Sequence, residues 1–304
     1  MQKILILISW QPEDGLTVER YKSRALEHQH VTVRRMDSFF VSWNGQVLDI
    51  TDLRGEIRLK DFDVVHIAGW QPEPDMGYVF AHVLKQRNMP FVGKTALELY
   101  PRSKVGEMVR LVLSDTPYPK SFYTCDNTKL TAMWNWAHER HGLEFPVVVK
   151  ASTASKGDDN YLVRSREELT ALPLNPDYRY LMQECIANER DYRVLVLGGK
   201  VELVIQRTRQ NDDTHLNNTS QGAVAEVVEL SGLPAHLSDT AVAAARALGR
   251  EDIAGVDILI DREKGDLYVL EVNKTPHMSL GAENVIEHKL HALFTYLDRI
   301  ANQR

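Results

Sequence analysis

The sequence predicts a protein of mixed α/β and α+β class, with a parallel sheet, a small central segment and an antiparallel sheet. The first hundred residues alternate short apolar runs with helical segments, which is typical of a parallel sheet covered by helices. Pro117 and Pro119 mark the clearest boundary in the chain. Beyond residue 180, alternating apolar runs flank Gly198-Gly199, a strong hairpin signal. We therefore expect domains at residues 1–115, 116–186 and 187–304.

The N-terminal elements follow from continuous apolar runs, which are typical of strands buried on both faces. The expected strands are Lys3–Ser9, Val31–Met36, Asp63–Ala68 and Pro90–Val92, and the expected helices are Leu16–His28 and Gly77–Arg87.

The central and C-terminal elements follow from periodicity and from helix-start and turn residues. In the centre we expect helix Ser103–Ser114, extended Ser121–Thr124, helix Lys129–His141, strands Pro146–Lys150 and Asn160–Val163, and a helix starting at Ser165. Later strands are expected at Leu181–Ile186, Asp191–Leu197, Lys200–Arg207 and Ala223–Glu229, and later helices at Ser238–Leu248 and Ala282–Ile300. Ser238 is expected to cap its helix.

Composition excludes several classes of partner. The 36 basic and 42 acidic residues give a net charge of −6, so no global attraction to nucleic acid or to an anionic membrane is expected. Residues 1–10 carry one lysine and no small-residue cleavage site, which predicts a cytoplasmic protein. Cys125 and Cys185 form neither a disulfide framework nor a zinc pattern.

A hairpin near the C-terminus carries the most informative pattern. The runs 255–261 and 266–273 alternate, and a turn near Lys264 places Asp257 directly opposite Glu271, with Asn273 on the same face. Facing carboxylates repel unless a cation lies between them, and two carboxylates with an amide oxygen are a magnesium ligand set. The alternative is an edge hairpin with a solvated polar face.

Phosphate binding is expected at the loop that follows the strand ending in Lys150. The small residues between Ser152 and Gly157 allow backbone N–H groups to approach an anion closely. Neither a P-loop around Gly93-Lys94-Thr95 nor a dinucleotide-binding glycine motif after the first strand is present. A solvated turn is the alternative for this loop.

Two further stretches suit a nucleotide. Backbone groups at 184–186 can pair with an adenine edge, and Asp191, which shares a face with Arg193, can reach ribose hydroxyls. Arg207 and Arg209 also share a face, and guanidinium groups suit carboxylate or phosphate. Surface salt bridges are the alternative in each case.

In this order, the motifs resemble the ATP-grasp superfamily of carboxylate-amine ligases, in particular ribosomal-protein glutamate ligases and glutathione synthetases. The resemblance covers roughly residues 100 to 280, and the N-terminal part is similar to the domain that precedes ATP-grasp modules. The matching pieces are Arg102-Ser103-Lys104, Thr116–Pro119, Pro146–Lys150 with its loop, Gln183–Ile186, Asp191–Arg193, Gly198-Gly199, Arg207, Asn218–Gly222, Gly255–Asp257 and Glu271–Asn273.

The resemblance also implies roles for single residues. Lys104 and Lys150 would contact phosphates, and the loop from Ser152 to Gly157, with Ser155 and Lys156, would form a phosphate lid. Glu184, Cys185 and Ile186 would line adenine, and Asp191 would bind ribose. Asp257, Glu271 and Asn273 would hold two Mg²⁺ ions, with Mn²⁺ as a substitute. Arg207 and Asn218 would face the transferring phosphoryl group, with Arg193 as a further catalytic residue.

The implied function is ATP-dependent, ADP-forming ligation of an amino acid or peptide carboxylate to an amine, through an acylphosphate. The alternatives are a kinase of this fold that phosphorylates a small-molecule hydroxyl, or a nucleotide-binding regulatory module without turnover. The lid contains one glycine, Gly157, where related ligases are usually richer in glycine, and this favours the regulatory alternative. Lys274–Met278 lacks the glycine-containing turn common in the family, so the acceptor-side pocket is expected to differ. A homo-oligomer is possible.

Overall fold

A computed structural model describes most of the chain. The described residues are 1–8, 15–43, 48–52, 54–69, 74–98, 103–124, 126–154, 159–209 and 223–302. No helix within these ranges is long and apolar enough to cross a membrane.

The described strands fall into three larger sheets and one hairpin. The strands are β1 (Gln2–Ile8), β2 (Gln29–Arg35), β3 (Phe39–Trp43), β4 (Leu48–Asp52), β5 (Val64–Ile67), β6 (Phe91–Val92), β7 (Ser121–Tyr123), β8 (Val147–Ala151), β9 (Asn160–Val163), β10 (Tyr180–Glu184), β11 (Arg190–Leu197), β12 (Lys200–Thr208), β13 (Val224–Val227), β14 (Ile253–Ile260) and β15 (Leu267–Asn273).

The helices pack against these sheets. They are α1 (Leu16–Ser23), α2 (Pro74–Gln86), α3 (Lys104–Leu113), α4 (Leu130–His141), α5 (Arg166–Thr170), α6 (Leu237–Ala247) and α7 (Glu283–Ala301). Most bounds lie within a few residues of those expected, but α1 ends at Ser23, because the chain then turns, with the Gln29 amide bonded to the Leu26 carbonyl, to enter β2.

The N-terminal sheet is parallel, with strand order β2-β1-β5-β6. Residues 4–7 of β1 are fully buried, as the continuous apolar run predicts. The hairpin of β3 and β4 was not expected, although Phe39 and Ile50 of this hairpin reach the core beside α2.

The central sheet is antiparallel, with order β7-β10-β8-β9, and has a hydrophobic core of its own beneath α4. The C-terminal sheet is also antiparallel, with order β13-β12-β11-β14-β15. Gly198 and Gly199 turn β11 into β12 with φ values of 60° and 74°. A Cβ atom at Gly198 would lie 2.6 Å from the Tyr296 ring, so this turn requires glycine.

The first and third sheets share one core. Ile4 and Val33 of the N-terminal sheet, Leu195 and Leu197 of β11, and the apolar face of α7 belong to a single buried cluster. Asp252, just before β14, adds a polar link, since its Oδ2 accepts the backbone N–H groups that follow β6, at 2.8 and 2.6 Å. The two predicted domain boundaries stay predictions, but the first and third segments are joined by packing.

The N-cap expected at Ser238 is wrong. Helix α6 begins at Leu237, and the Ser238 hydroxyl is buried without a hydrogen-bond partner. The Leu237 amide already bonds to the Pro234 carbonyl, so the turn starts before the serine. By contrast, Ser103 caps α3 by accepting the Gly106 N–H, and Ser165 caps α5 by accepting that of Glu168.

Candidate active site

The centre of the candidate site is a row of charged residues across the C-terminal sheet. Asp257 on β14 pairs directly with Glu271 on β15, as the hairpin pattern predicts. On its other side, Asp257 pairs directly with Arg193 on β11. A bulge at Leu270 of β15 shifts the register by one residue between Asp257 and Ile258, so the acidic pair lies where the ladder is irregular.

Like charges meet at this pair. The Glu271 side chain is exposed to water, although the charged groups of Asp257, Glu107, Lys104 and Arg193 lie close to it. Burial and then the neighbouring Asp257 and Glu107 raise the pKa of Glu271, although Lys104 and Arg193 act in the opposite direction. The repulsion is relieved by any cation that reaches both carboxylates.

Asp257 is held by three side chains. Arg193 donates from Nε to Oδ1 and from Nη2 to Oδ2, each at 2.8 Å, and Arg207 Nη2 lies 3.2 Å from Oδ2. Asn273 Nδ2 is 3.4 Å from the same oxygen. Although burial opposes the charge, the two guanidinium groups hold the pKa of Asp257 below its ordinary value. Asp257 is therefore a fixed, charged ligand candidate.

The side chain of Arg193 passes over Gly255 to reach the Asp257 carboxylate. A Cβ atom at Gly255 would lie 3.5 Å from Arg193 Cδ and 3.2 Å from Pro276 Cβ. The segment that follows Asn273 thus packs close to the charged row.

Asp191 has a different neighbour from the one that the resemblance implies. It lies directly opposite Arg207 on β12 and accepts Nε and Nη2 at 2.6 and 2.7 Å. Both side chains are buried, 4% exposed, so the two carboxylate oxygens of Asp191 face Arg207 rather than open space. In this arrangement Asp191 orients Arg207, and Arg207 reaches Asp257 with its outer nitrogen.

Two lysines, Lys104 and Lys150, lie near Glu271, and we call the space between their ammonium groups and its carboxylate the cleft. Lys150, at the end of β8, is 8% exposed and donates to Gln183 Oε1 at 2.8 Å. Burial, and then the nearby Lys104, lower the pKa of Lys150 to about 8. Lys104 donates from Nζ to the Ala151 and Ala154 carbonyls, and burial lowers its pKa as well. The two cations therefore lie close together in the cleft.

The expected adenine segment continues directly from β10. Glu184 Oε1 accepts the backbone N–H of Lys120 at 2.7 Å, and the Ile186 carbonyl accepts Asn188 Nδ2 at 2.8 Å. Cys185 is half-buried between them, and burial raises the pKa of its thiol. This segment joins the central sheet to the C-terminal sheet.

Part of the expected lid can be placed. Ser152 is buried, donates its backbone N–H to the Arg179 carbonyl and accepts that of Lys104, each at 2.8 Å. The predictions for Ser155, Lys156, Gly157 and Asn218 fall outside the described residues.

The donor chemistry of the hairpin suits magnesium. No group of three His, Cys, Asp or Glu side chains able to hold a metal occurs among the described residues. The expected set differs in kind, because it combines two carboxylates with an amide oxygen, ligands that Mg²⁺ accepts together with water and phosphate. Glu271, whose carboxylate is exposed beside Asp257 and Asn273, fits such an ion.

Sequence reasoning missed several residues that support this site. Gln183 positions Lys150 and donates to Ser121 Oγ at 2.8 Å. Lys289 on α7 is 7% exposed and donates to the His277 and Leu280 carbonyls at 2.6 and 2.5 Å. A polar residue at a buried position of an apolar run, as at Gln183, is the signal that could have been used.

This chain is similar to several known ligases. A model of the RimK-like ATP-grasp domain matches residues 111–290, more than half of the chain. A probable alpha-L-glutamate ligase of Pasteurella multocida is 27% identical over 228 residues, which cover 73% of this chain and 69% of that protein. The coenzyme gamma-F420-2:alpha-L-glutamate ligase of Methanocaldococcus jannaschii is 33% identical over 144 residues, or 45% of this chain and about half, 47%, of the relative.

Solved structures share the fold over nearly the whole chain. The ATP-grasp ligase PsnB, complexed with minimal precursor, Mg and ADP, has a TM-score of 0.68 at 16% identity and covers 98% of this chain and 97% of that one. D-alanine–D-alanine ligase of Bacillus anthracis, complexed with ATP, has a TM-score of 0.64 at 16% identity, with 99% and 98% covered. These likenesses confirm the predicted fold class.

Proposed function

Because the chain belongs to the RimK-like ATP-grasp family, we propose that it is an ATP-dependent, ADP-forming ligase that joins a carboxylate to an amine. The observation that carries this proposal is the Arg193, Asp257 and Glu271 row, which faces two cleft lysines. Relatives are named glutamate ligases, so we propose an amino acid or peptide as substrate and glutamate as the first one to test.

The reaction requires a leaving group, because a carboxylate is a poor electrophile. A carboxylate oxygen of the substrate attacks the γ-phosphorus, the bond to the bridging oxygen breaks, and ADP leaves. The amine then attacks the acylphosphate carbon and loses a proton, and phosphate departs. Positioning and charge neutralisation dominate phosphoryl transfer, which suits a site of lysines and arginines.

The chain's own groups have distinct proposed roles. Lys104 and Lys150 bind phosphate oxygens, and Gln183 fixes the direction of the Lys150 ammonium. Arg207, oriented by Asp191, and Arg193 carry positive charge toward the transferring phosphoryl group. Their guanidinium groups are held in place before the reaction, so little reorganisation is needed.

Asp257, Glu271 and Asn273 are the proposed holders of Mg²⁺. When bound, Mg²⁺ neutralises phosphate charge and aligns the phosphate oxygens. We propose two ions, which Mn²⁺ can replace. The adenine contacts of residues 184–186, the cytoplasmic location and a homo-oligomer stay predictions.

The decisive experiment measures phosphate release and product mass. Purified protein with ATP, Mg²⁺ and a panel of amino acids and peptides that starts with glutamate is expected to release phosphate and form an amide. Glu271→Ala should abolish release, whereas Glu263→Ala, an exposed glutamate in the turn of the same hairpin, should retain it. A stable phosphoester product would establish a kinase instead, and nucleotide binding without ADP formation would indicate a regulatory module.

A further inference from the structure

Arg250 is a buried arginine outside the set of proposed binding and catalytic residues. It follows α6 and is 3% exposed. Burying a guanidinium is unfavourable unless good partners surround it, so its partners indicate its role.

One partner lies in the backbone of the candidate metal strand. Arg250 Nη1 donates to the carbonyl of Val272, the residue between Glu271 and Asn273. The Val272 side chain is itself buried in the core beneath the C-terminal sheet. Arg250 thus holds the backbone of the edge strand β15 between two proposed metal ligands.

A second partner lies on the helix that carries Lys104. Arg250 Nη2 donates to Glu107 Oε1 at 2.8 Å, and Glu107 is one helical turn after Lys104 in α3. The start of α3 is in turn bonded to the central sheet, because the Lys104 amide donates to the Ser152 carbonyl at 2.8 Å. A continuous chain of contacts therefore runs from the metal strand to the proposed phosphate lysine.

We propose that Arg250 is a positioning residue that fixes, through Glu107, the spacing between Lys104 and the strand of Glu271 and Asn273. The inference rests on the proposed function. A nucleotide with its metal must contact Lys104 and the Glu271 strand at the same time. A change in the distance between them therefore weakens nucleotide binding even when both groups are intact.

The test compares two substitutions of Glu107 in the full chain. Glu107→Gln keeps an acceptor for Arg250 and removes the charge, whereas Glu107→Met removes both. Affinity for a non-hydrolysable ATP analogue with Mn²⁺ is measured by calorimetry, and Mn²⁺ alone by its paramagnetic resonance signal. Removal of a negative charge near Lys104 should by itself tighten binding of an anion.

A positioning role of Arg250 predicts that Glu107→Met binds the analogue more weakly, which is the opposite of this charge effect. Glu107→Gln should bind the analogue as well as wild type or more tightly, and Glu107→Met at least about tenfold more weakly. Arg250→Met should weaken the analogue by a similar factor, and Arg250→Lys should recover part of the loss. Arg34→Met is the matched control, since Arg34 is also buried, 6% exposed, but bonds to Glu56 in the N-terminal domain. It should change the melting temperature only.

Affinities are compared only for variants whose circular dichroism spectra show that they are folded at the assay temperature. Equal affinity in Glu107→Gln and Glu107→Met, or an Arg250→Met variant that loses stability but keeps wild-type affinity, overturns the inference and leaves the proposed function intact. If wild type itself binds no analogue, the proposed function and this inference both fail.

Discussion

Replacing Lys150 by methionine should remove nucleotide binding and yet leave the nucleotide-free protein at least as stable. Burial lowers the pKa of Lys150 to about 8, against an ordinary value of 10.5. The unfolded chain therefore binds a proton that the folded chain lacks between about pH 8 and 10.5, and the stability of the wild type rises with pH across this window. Below about pH 8 Lys150 is protonated in the folded chain, and keeping this buried ammonium charged lowers the free energy of unfolding by about 3 kcal/mol.

The substitution also has a cost. Gln183 Oε1 loses the ammonium that donates to it at 2.8 Å, and an unsatisfied buried acceptor costs about 1–3 kcal/mol. At pH 7 we expect Lys150→Met to unfold at an equal or higher urea concentration than wild type, by up to about 2 kcal/mol.

Urea unfolding of the nucleotide-free protein at pH 7, 8, 9 and 10 checks this reasoning. Above about pH 8, the free energy of unfolding of wild type should rise relative to that of Lys150→Met by about 1.4 kcal/mol per pH unit. Lys60→Met, which removes an exposed lysine, should track wild type at every pH. A difference between Lys150→Met and wild type that does not change with pH would refute the assignment of a buried, proton-losing lysine.

Three further predictions concern the charged row and the helix that faces it. Glu271→Gln should weaken Mn²⁺ binding at least about tenfold in resonance titrations, and unchanged affinity would remove Glu271 from the metal site. Asp191→Asn should lower the free energy of unfolding by about 1–3 kcal/mol, because buried Arg207 loses one charged acceptor while Asp257 stays 3.2 Å away, and Asp191→Leu with Arg207→Met should recover part of it. No recovery in the double variant would contradict this account. Ser103→Ala should cost about 1 kcal/mol in urea unfolding, since its hydroxyl caps α3, and a neutral effect would mean that the cap adds nothing.

The sequence predicted best those contacts that depend on local geometry. A strand period of two and a turn near Lys264 predicted the pairing of Asp257 with Glu271, which the sheet register confirms. The bulge was not predicted, although the pairing depends on it: the register nearer the turn, Ile258 with Val269, would by itself place Asp257 opposite Leu270. The Gly198-Gly199 hairpin was found for the same reason.

Contacts between strands that are distant in the chain could not be predicted in this way. Arg193 meets Asp257 only because β14 lies beside β11 in the sheet order, and no local pattern specifies that order. The same holds for Lys150 and Gln183, whose strands are separated by β9 and α5. Asp191 shows how this limits the prediction of function. Its position after the proposed adenine segment implied a ribose contact, whereas its neighbour on the adjacent strand is Arg207.

The buried cluster common to the first and third sheets limits how this chain can be recombined with relatives. A chimera that exchanges the N-terminal sheet alone would set a foreign surface against Leu195, Leu197 and the apolar face of α7. The central sheet, with its separate interior beneath α4, has no such constraint. Shuffling experiments should therefore yield folded hybrids when residues 121–184 are exchanged as a cassette, or when the first sheet travels together with β11 and α7.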